Sequence, residues 1–346
     1  MTELNEQQTS AWDRYWQDGR GAACQADERG FYQGVIASTW SRLFTTLPAG
    51  CRLLDLATGN GAVPALAAEL LSPGQFPVEI HGVDSARIRP MLEQQPAGGI
   101  RFRWHPRTRN ESLPFAAGMF DGVVSQYGVE YGDLQRTVSE VGRILRADGW
   151  LQWVCHWRDG DIARDAADEA ERAGRLRALS LPARISALVK RQQRNGCYIP
   201  NSHQRTWHLA EAVRVKHGLA EGFDIARSTP TQPVGNLGLF LHNLAHLYQH
   251  REQHPVEEML ERMARCDEEL LAHQQRLEAQ VRAALTNERV DQLKMWLSEF
   301  GLELITRKQL CEPSTGRVVG MLLQAARGRG HTVLAEAVAA ERPNNA

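Results

Sequence analysis

The segment Leu53-Leu-Asp-Leu-Ala-Thr-Gly-Asn-Gly-Ala-Val63 joins a short apolar run to a turn holding two glycines and then to a helix-forming stretch. An apolar run without polar alternation predicts a strand buried on both faces, as in a parallel sheet covered by helices. Gly59 and Gly61 have no Cβ, so the turn can adopt positive φ and let a ligand approach the backbone closely. Asp55 sits at the end of that strand. A second run, Ile80-His-Gly-Val-Asp84, ends in another carboxylate. In an open α/β sheet, ligands bind beyond the carboxyl ends of the strands, and an acid roughly twenty residues after a glycine turn suits the two hydroxyls of a ribose.

The alternation continues around this segment. Strands are predicted at Arg52–Leu56, Val78–Val83, Ile100–Trp104, Asp121–Ser125 and Trp150–Cys155. Helices are predicted at Pro64–Leu71, Ile88–Gln94 and Leu134–Leu145, with Val138, Val141 and Leu145 on one face of the last. Right-handed crossovers between such units give a doubly wound, mostly parallel sheet. From about Asp159 the periodicity turns helical, and Met259–Leu285, rich in Glu, Arg, Leu, Ala and Gln, reads as one long helix. The α/β pattern returns with a helix at Val290–Phe300 and strands at Leu302–Leu310 and Val318–Ala325, expected to pair at a sheet edge. The predicted organisation is a helical cap at 1–50, an α/β core at 51–158 and 288–327, a large helical insertion at 159–287 after the fifth strand, and a mobile tail at 328–346.

Together, the glycine turn, Asp84, the segment Ser112-Leu-Pro-Phe-Ala-Ala-Gly-Met-Phe-Asp-Gly-Val-Val-Ser125 and the segment Glu140-Val-Gly-Arg-Ile-Leu-Arg-Ala-Asp-Gly149 resemble the class I, Rossmann-like S-adenosylmethionine-dependent methyltransferases. The resemblance covers about 53–157, with a return at 290–327. It implies S-adenosyl-L-methionine as cofactor. Asp55, Ala57, Thr58, Gly59 and Gly61 would hold its methionine part, Asp84 and Ser85 its ribose, and Asn110 and Glu111 its adenine. Ser125, Gln126 and Tyr127 would lie beside the methyl-sulfonium. Two positions depart from the family pattern: Ala57 stands where the first glycine usually is, and Arg109 where an adenine-reading acid is common. A nicotinamide-binding domain is the competing reading, but it needs a third small residue where Pro64 stands, and an acid before the turn suits an ammonium better than a pyrophosphate.

After the fourth and fifth strands come Glu130, Tyr131 and His156, candidates to orient or deprotonate a methyl acceptor. The stretch after the fourth strand lacks the Asn/Asp-Pro-Pro-aromatic run of exocyclic-amine nucleic-acid methyltransferases and the Pro-Cys of cytosine C5 enzymes. A small-molecule acceptor between core and insertion is therefore the leading expectation. The alternatives are an RNA- or lipid-headgroup-directed enzyme using the basic stretch 177–216, and a non-catalytic cofactor-binding assembly protein dimerising through 259–285. Trp12, Tyr15, Trp16, Phe31 and Tyr32 fall on expected helices that would fold over the cofactor or pack on the sheet edge. His242, His246, His250 and His254 recur every fourth residue, which polar helix faces explain without a metal. Six scattered cysteines with no C-x-x-C pair give neither a disulfide framework nor a zinc site. With a formal charge of −1 and neither an apolar leader nor a membrane span, the expected location is cytoplasmic.

Overall fold

A computed structural model describes residues 11–17, 19, 21–22, 31–71, 78–92, 100–193, 202–227 and 235–339, with side chains described outside 192–193 and 202–205. The chain divides into two compact units, residues 1–165 with 279–346, and residues 166–278.

The first unit is built on a seven-stranded sheet of β1 (Arg52–Leu56), β2 (Val78–Asp84), β3 (Ile100–Pro106), β4 (Phe120–Gln126), β5 (Leu145–Cys155), β6 (Glu303–Cys311) and β7 (Val318–Ala326), in the order β3-β2-β1-β4-β5-β7-β6. The first five strands pair in parallel, and β7 runs antiparallel between β5 and β6. Helices α1 (residues 11–17), α2 (Gly34–Thr45), α3 (Ala62–Leu70), α4 (Leu134–Ile144), α10 (Asn287–Glu299) and α11 (Gly330–Ala339) belong to this unit. One face of the sheet packs Leu53, Ile80 and Val154 against Ile36, Trp40, Leu66 and Leu334 of α2, α3 and α11. The other packs Leu54, Val123, Trp153 and Leu323 against Val138, Val141, Leu293 and Leu297 of α4 and α10. Burial on both faces explains the unbroken apolar runs of the central strands.

The second unit is helical: part of α5 (Asp161–Ala178), α6 (Leu181–Gln193), α7 (Ser202–Ala226), α8 (Asn236–Gln249) and most of α9 (Val256–Ala283), with no strand among its described residues. It has its own core, including Leu176, Ile185, Leu188, Val215, Leu241, Leu244 and Met259. The first unit's chain departs and returns at adjacent points after β5. Leu285 N–H donates to His156 C=O at 2.8 Å, and Arg158 N–H donates to Leu285 C=O at 2.9 Å. The expected mostly parallel sheet and helical insertion after the fifth strand are thus present.

Some boundaries differ from the sequence reading. Residues 88–92 are irregular where a helix over Ile88–Gln94 was expected, and 93–94 lie outside the described residues. Their backbone is tied to Asn60 instead: Arg89 N–H donates to Asn60 Oδ1 at 2.6 Å and Met91 N–H to Asn60 C=O at 2.8 Å. Helix α3 starts at Ala62, two residues before the expected Pro64, because Gly61 in the left-handed region caps it. Phe31 and Tyr32 precede α2 rather than lying on a helix. Residues 330–339, expected within a mobile tail, form α11 with Leu334 and Ala337 buried; residues 340–346 lie outside the described residues. His242 and His246 lie on α8, whereas His250 follows its C-terminus and His254 follows a 3₁₀ turn, so the four share no single helix. Among the described residues no group of three or more His, Cys, Asp or Glu could hold a metal, and no helix is long and apolar enough to cross a membrane.

Candidate cofactor and acceptor site

Sheet order reverses between β1 and β4, the place where the carboxyl ends of an open α/β sheet leave a crevice. A cavity of about 640 Å³ opens there, within the ~300–1,000 Å³ range of small-molecule sites.

Its floor is the glycine turn. Ala57, Gly59 and Gly61 all have positive φ, at 52°, 55° and 86°. At Gly59 a Cβ would come within 2.6 Å of the Trp16 ring, and at Gly61 within 2.6 Å of the Trp104 ring. Both glycines are therefore required by space as well as by φ. The turn is tied to β2 by Asp84, whose Oδ2 accepts Gly59 N–H and whose Oδ1 accepts Ala86 N–H, each at 2.8 Å. Asp84 lines the cavity and is buried, and desolvation pushes its carboxyl up to about 6 although both backbone donors pull the other way. Asp55 lies behind the turn and accepts Thr58 Oγ1–H at 2.6 Å. Burial pushes it up to about 7, against that hydrogen bond and with help from the Asp84 charge.

Of the residues assigned to the cofactor from sequence, Ala57, Thr58, Asp84, Ser85, Asn110, Glu111, Gln126 and Tyr127 line this one cavity. Asp55, Gly59, Gly61 and Ser125 are not among the residues that line it. Ser125 Oγ is occupied on both sides, donating to Leu56 C=O at 2.9 Å and accepting Val129 N–H at 3.1 Å. The segment that follows Asn110 and Glu111 is held from α4: Glu140 accepts Leu113 N–H at 2.7 Å, while Arg143 donates to Phe115 C=O at 2.6 Å and Leu113 C=O at 3.0 Å. Glu111 itself accepts Asp133 N–H at 3.0 Å.

The three acceptor-side candidates separate. Tyr131 lines the cavity. Glu130 and His156 are each 1% exposed and are not in its wall. Glu130 Oε1 accepts both the backbone N–H and Nδ1 of His156, each at 2.8 Å, and the Tyr127 ring stacks on the imidazole at 4.4 Å. This pair pins the turn after β4 to the end of β5, beneath the tyrosines that face the cavity.

The remaining wall takes in Trp12, Trp16 and Tyr32, for which the sequence left open a place over the cofactor or at the sheet edge, together with residues the sequence did not single out. Trp12 and Trp16 stack on each other at 5.6 Å, and Trp12 meets Tyr131 edge-on at 5.7 Å. Helix α1 is fastened there by Asn60 Nδ2–H to Trp16 C=O at 2.8 Å and Arg87 N–H to Asp13 Oδ1 at 2.6 Å. Tyr32, Arg107, Arg109, Gly132, Asp133 and Arg136 also line the cavity. The aromatic spacing at 12, 15 and 16 marks one helical face but does not say what it covers.

Residues 54–152 match a methyltransferase domain family, spanning β1 to most of β5. That segment, well under half of the chain, is similar to a methyltransferase domain. Among relatives, a ubiquinone/menaquinone biosynthesis C-methyltransferase of Geotalea uraniireducens is 34% identical over 107 residues, 29% of this chain and 43% of that protein. An uncharacterized protein of Mycobacterium tuberculosis is 33% identical over 112 residues, 30% of this chain and 38% of that one. The chain thus spans less than half the length of these relatives. Among solved structures, the Burkholderia thailandensis 1,6-didemethyltoxoflavin-N1-methyltransferase superposes with a TM-score of 0.42 and 11% identity, over 94% of this chain and 89% of that one.

Proposed function

We propose that this chain transfers a methyl group from S-adenosylmethionine to a small-molecule acceptor bound in the cavity of the first unit. The observation that supports this best is one cavity whose lining combines the Thr58 turn and Asp84 with the aromatic side chains Trp12, Tyr32, Tyr127 and Tyr131. The residues present fit the cofactor. Each Asp84 oxygen accepts one backbone N–H and keeps further lone-pair capacity for a ribose hydroxyl. Asn110, with Glu111 beside it, offers an amide to adenine. Asp55 acts through Thr58, setting the turn on which the methionine part would rest.

When bound, the cofactor supplies an electrophilic methyl on a sulfonium. The chain's own contribution is then position and dryness. In-line displacement gains much of its rate from orientation of the two partners, and the aromatic wall both orients a planar acceptor and keeps water from the sulfonium. Tyr131 is the candidate closest in kind to a polar orienting group. The Glu130–His156 pair holds that wall in place. A planar acceptor also accords with the quinone-pathway name of the Geotalea relative.

The basic stretch supports an RNA or lipid acceptor less well. Glu211 is 3.4 Å from Arg184 and 3.0 Å from Arg214, and Arg191 lies 4.0 Å over the Trp207 ring. Calorimetry tests the central reading: the protein should bind S-adenosylmethionine or S-adenosylhomocysteine and ignore NAD. Binding of NAD with neither sulfur ligand would overturn it.

A further inference from the structure

Gln126 ends β4 in the cavity wall and is 6% exposed. Its Oε1 accepts the indole Nε1–H of Trp40 at 2.6 Å. Indole nitrogen can only donate, so the amide orientation is fixed: a flipped amide would set two donors against each other. Trp40 is fully buried in the core between α2 and the sheet, so the anchor does not move with the surface. The other end of the amide, Nε2, is buried with no hydrogen-bond partner. Among the described residues with an unpaired buried polar side-chain atom, Gln126 is the one that lines this cavity.

A buried donor left unmade is costly, and a ligand atom that accepts from it removes that cost. Tyr32, Tyr127 and Tyr131 line the same cavity, and their rings are of a kind suited to a flat ligand ring. Resting on the methyltransfer reading above, we propose that Gln126 Nε2 is the specificity-determining donor for the methyl acceptor. The acceptor is then a planar aromatic or heteroaromatic molecule presenting a lone pair, a carbonyl oxygen or ring nitrogen, to Gln126. Trp40 is the positioning residue that keeps the donor aimed.

The test uses the full chain saturated with S-adenosylhomocysteine, and two probes of one shape, naphthalene and quinoline, which differ by a ring-nitrogen lone pair. Affinities are read from quenching of tryptophan fluorescence. The ratio of quinoline to naphthalene affinity should be about ten-fold higher in wild type than in Gln126→Leu, equivalent to about 1.4 kcal/mol. Comparing ratios cancels the difference in probe hydration. Gln126→Glu keeps an oxygen for Trp40 while removing the donor, so it guards against misfolding in the leucine variant. It should lose the quinoline preference and instead favour indole over indene. An unchanged probe ratio overturns the assignment, as does a ten-fold loss of S-adenosylhomocysteine affinity in Gln126→Leu, which would give the donor to the cofactor. Failure of wild type to bind S-adenosylhomocysteine at all would instead sink the methyltransfer reading beneath it.

Discussion

Asp84 already accepts two backbone N–H groups, and a ribose would add two hydrogen bonds to the same carboxylate. Hydrogen bonds to ionised partners are worth roughly 1.5–3 kcal/mol each, so losing two in Asp84→Ala should weaken cofactor binding by about two to four decades. Asp84→Asn, which keeps the shape but offers one neutral acceptor, should fall between; isothermal calorimetry with S-adenosylhomocysteine measures both. A pH dependence follows from burial. Asp55 and Asp84 are pushed up to about 7 and about 6, above their ordinary value of 3.8, so the folded chain holds protons that the unfolded chain releases. Their share of stability is therefore full below about pH 4 and declines as pH rises toward 7. Ribose hydroxyls donate to the ionised form, so cofactor affinity should move oppositely, rising from pH 5 to about 7 and then levelling off. Asp84→Asn should flatten that rise, and an equally steep rise in the variant would assign it elsewhere. Glu130→Ala removes the acceptor for two buried His156 donors, each left at a cost of about 1–3 kcal/mol. A large drop in the urea midpoint should result, whereas a variant as stable as wild type but inactive would make Glu130 a chemical group after all. Asp84 was legible in sequence because a strand ending in an acid after a glycine turn is a local signal. Gln126 was placed near the sulfonium by resemblance, but its fixed amide was not legible, since Trp40 lies 86 residues away.

At the level of elements, the turn between β1 and α3 and helix α1 depend on each other. Gly59 sits against Trp16, so Gly59→Ala forces the ring to shift as well as straining a positive φ. That variant should lose at least ten-fold in S-adenosylhomocysteine affinity, judged against the typical cost of an alanine at left-handed φ of about 1–2 kcal/mol plus the displaced wall. Gly118→Ala is the control: its φ is also positive, at 64°, but no atom lies within 4 Å of its Cβ. It should cost some stability and no affinity, and equal effects in both would remove Trp16 from the explanation. Strands and long helices were readable because burial on two faces or one leaves its own period in the chain. The segment 88–92 was not. Its apolar spacing suggested a helix, yet Asn60, from another part of the chain, takes its backbone donors.

For the whole molecule, the helical segment is entered and left at one place, beside β5. Helices α5 and α9 still touch inside the first unit, where Gln280 Nε2 donates to Ile162 C=O at 3.4 Å. Replacing residues 166–278 by a short Gly/Ser linker should leave a folded protein that binds S-adenosylhomocysteine within about three-fold of wild type. Circular dichroism and calorimetry check it, and a folded product without binding would mean that the first unit does not hold the cofactor by itself. The amino-acid sequence alone determined the alternation of strands and helices, the glycine turn, the two acids and the interruption by helices, since each is set by neighbours within one turn or one strand. Tertiary structure alone decided which residues face the cavity. It set Trp12, Trp16 and Tyr32 in the wall, turned Glu130 and His156 toward each other, and fixed the Gln126 amide through Trp40. These arrangements join residues far apart along the chain, and only the packed sheet and helices bring them within reach.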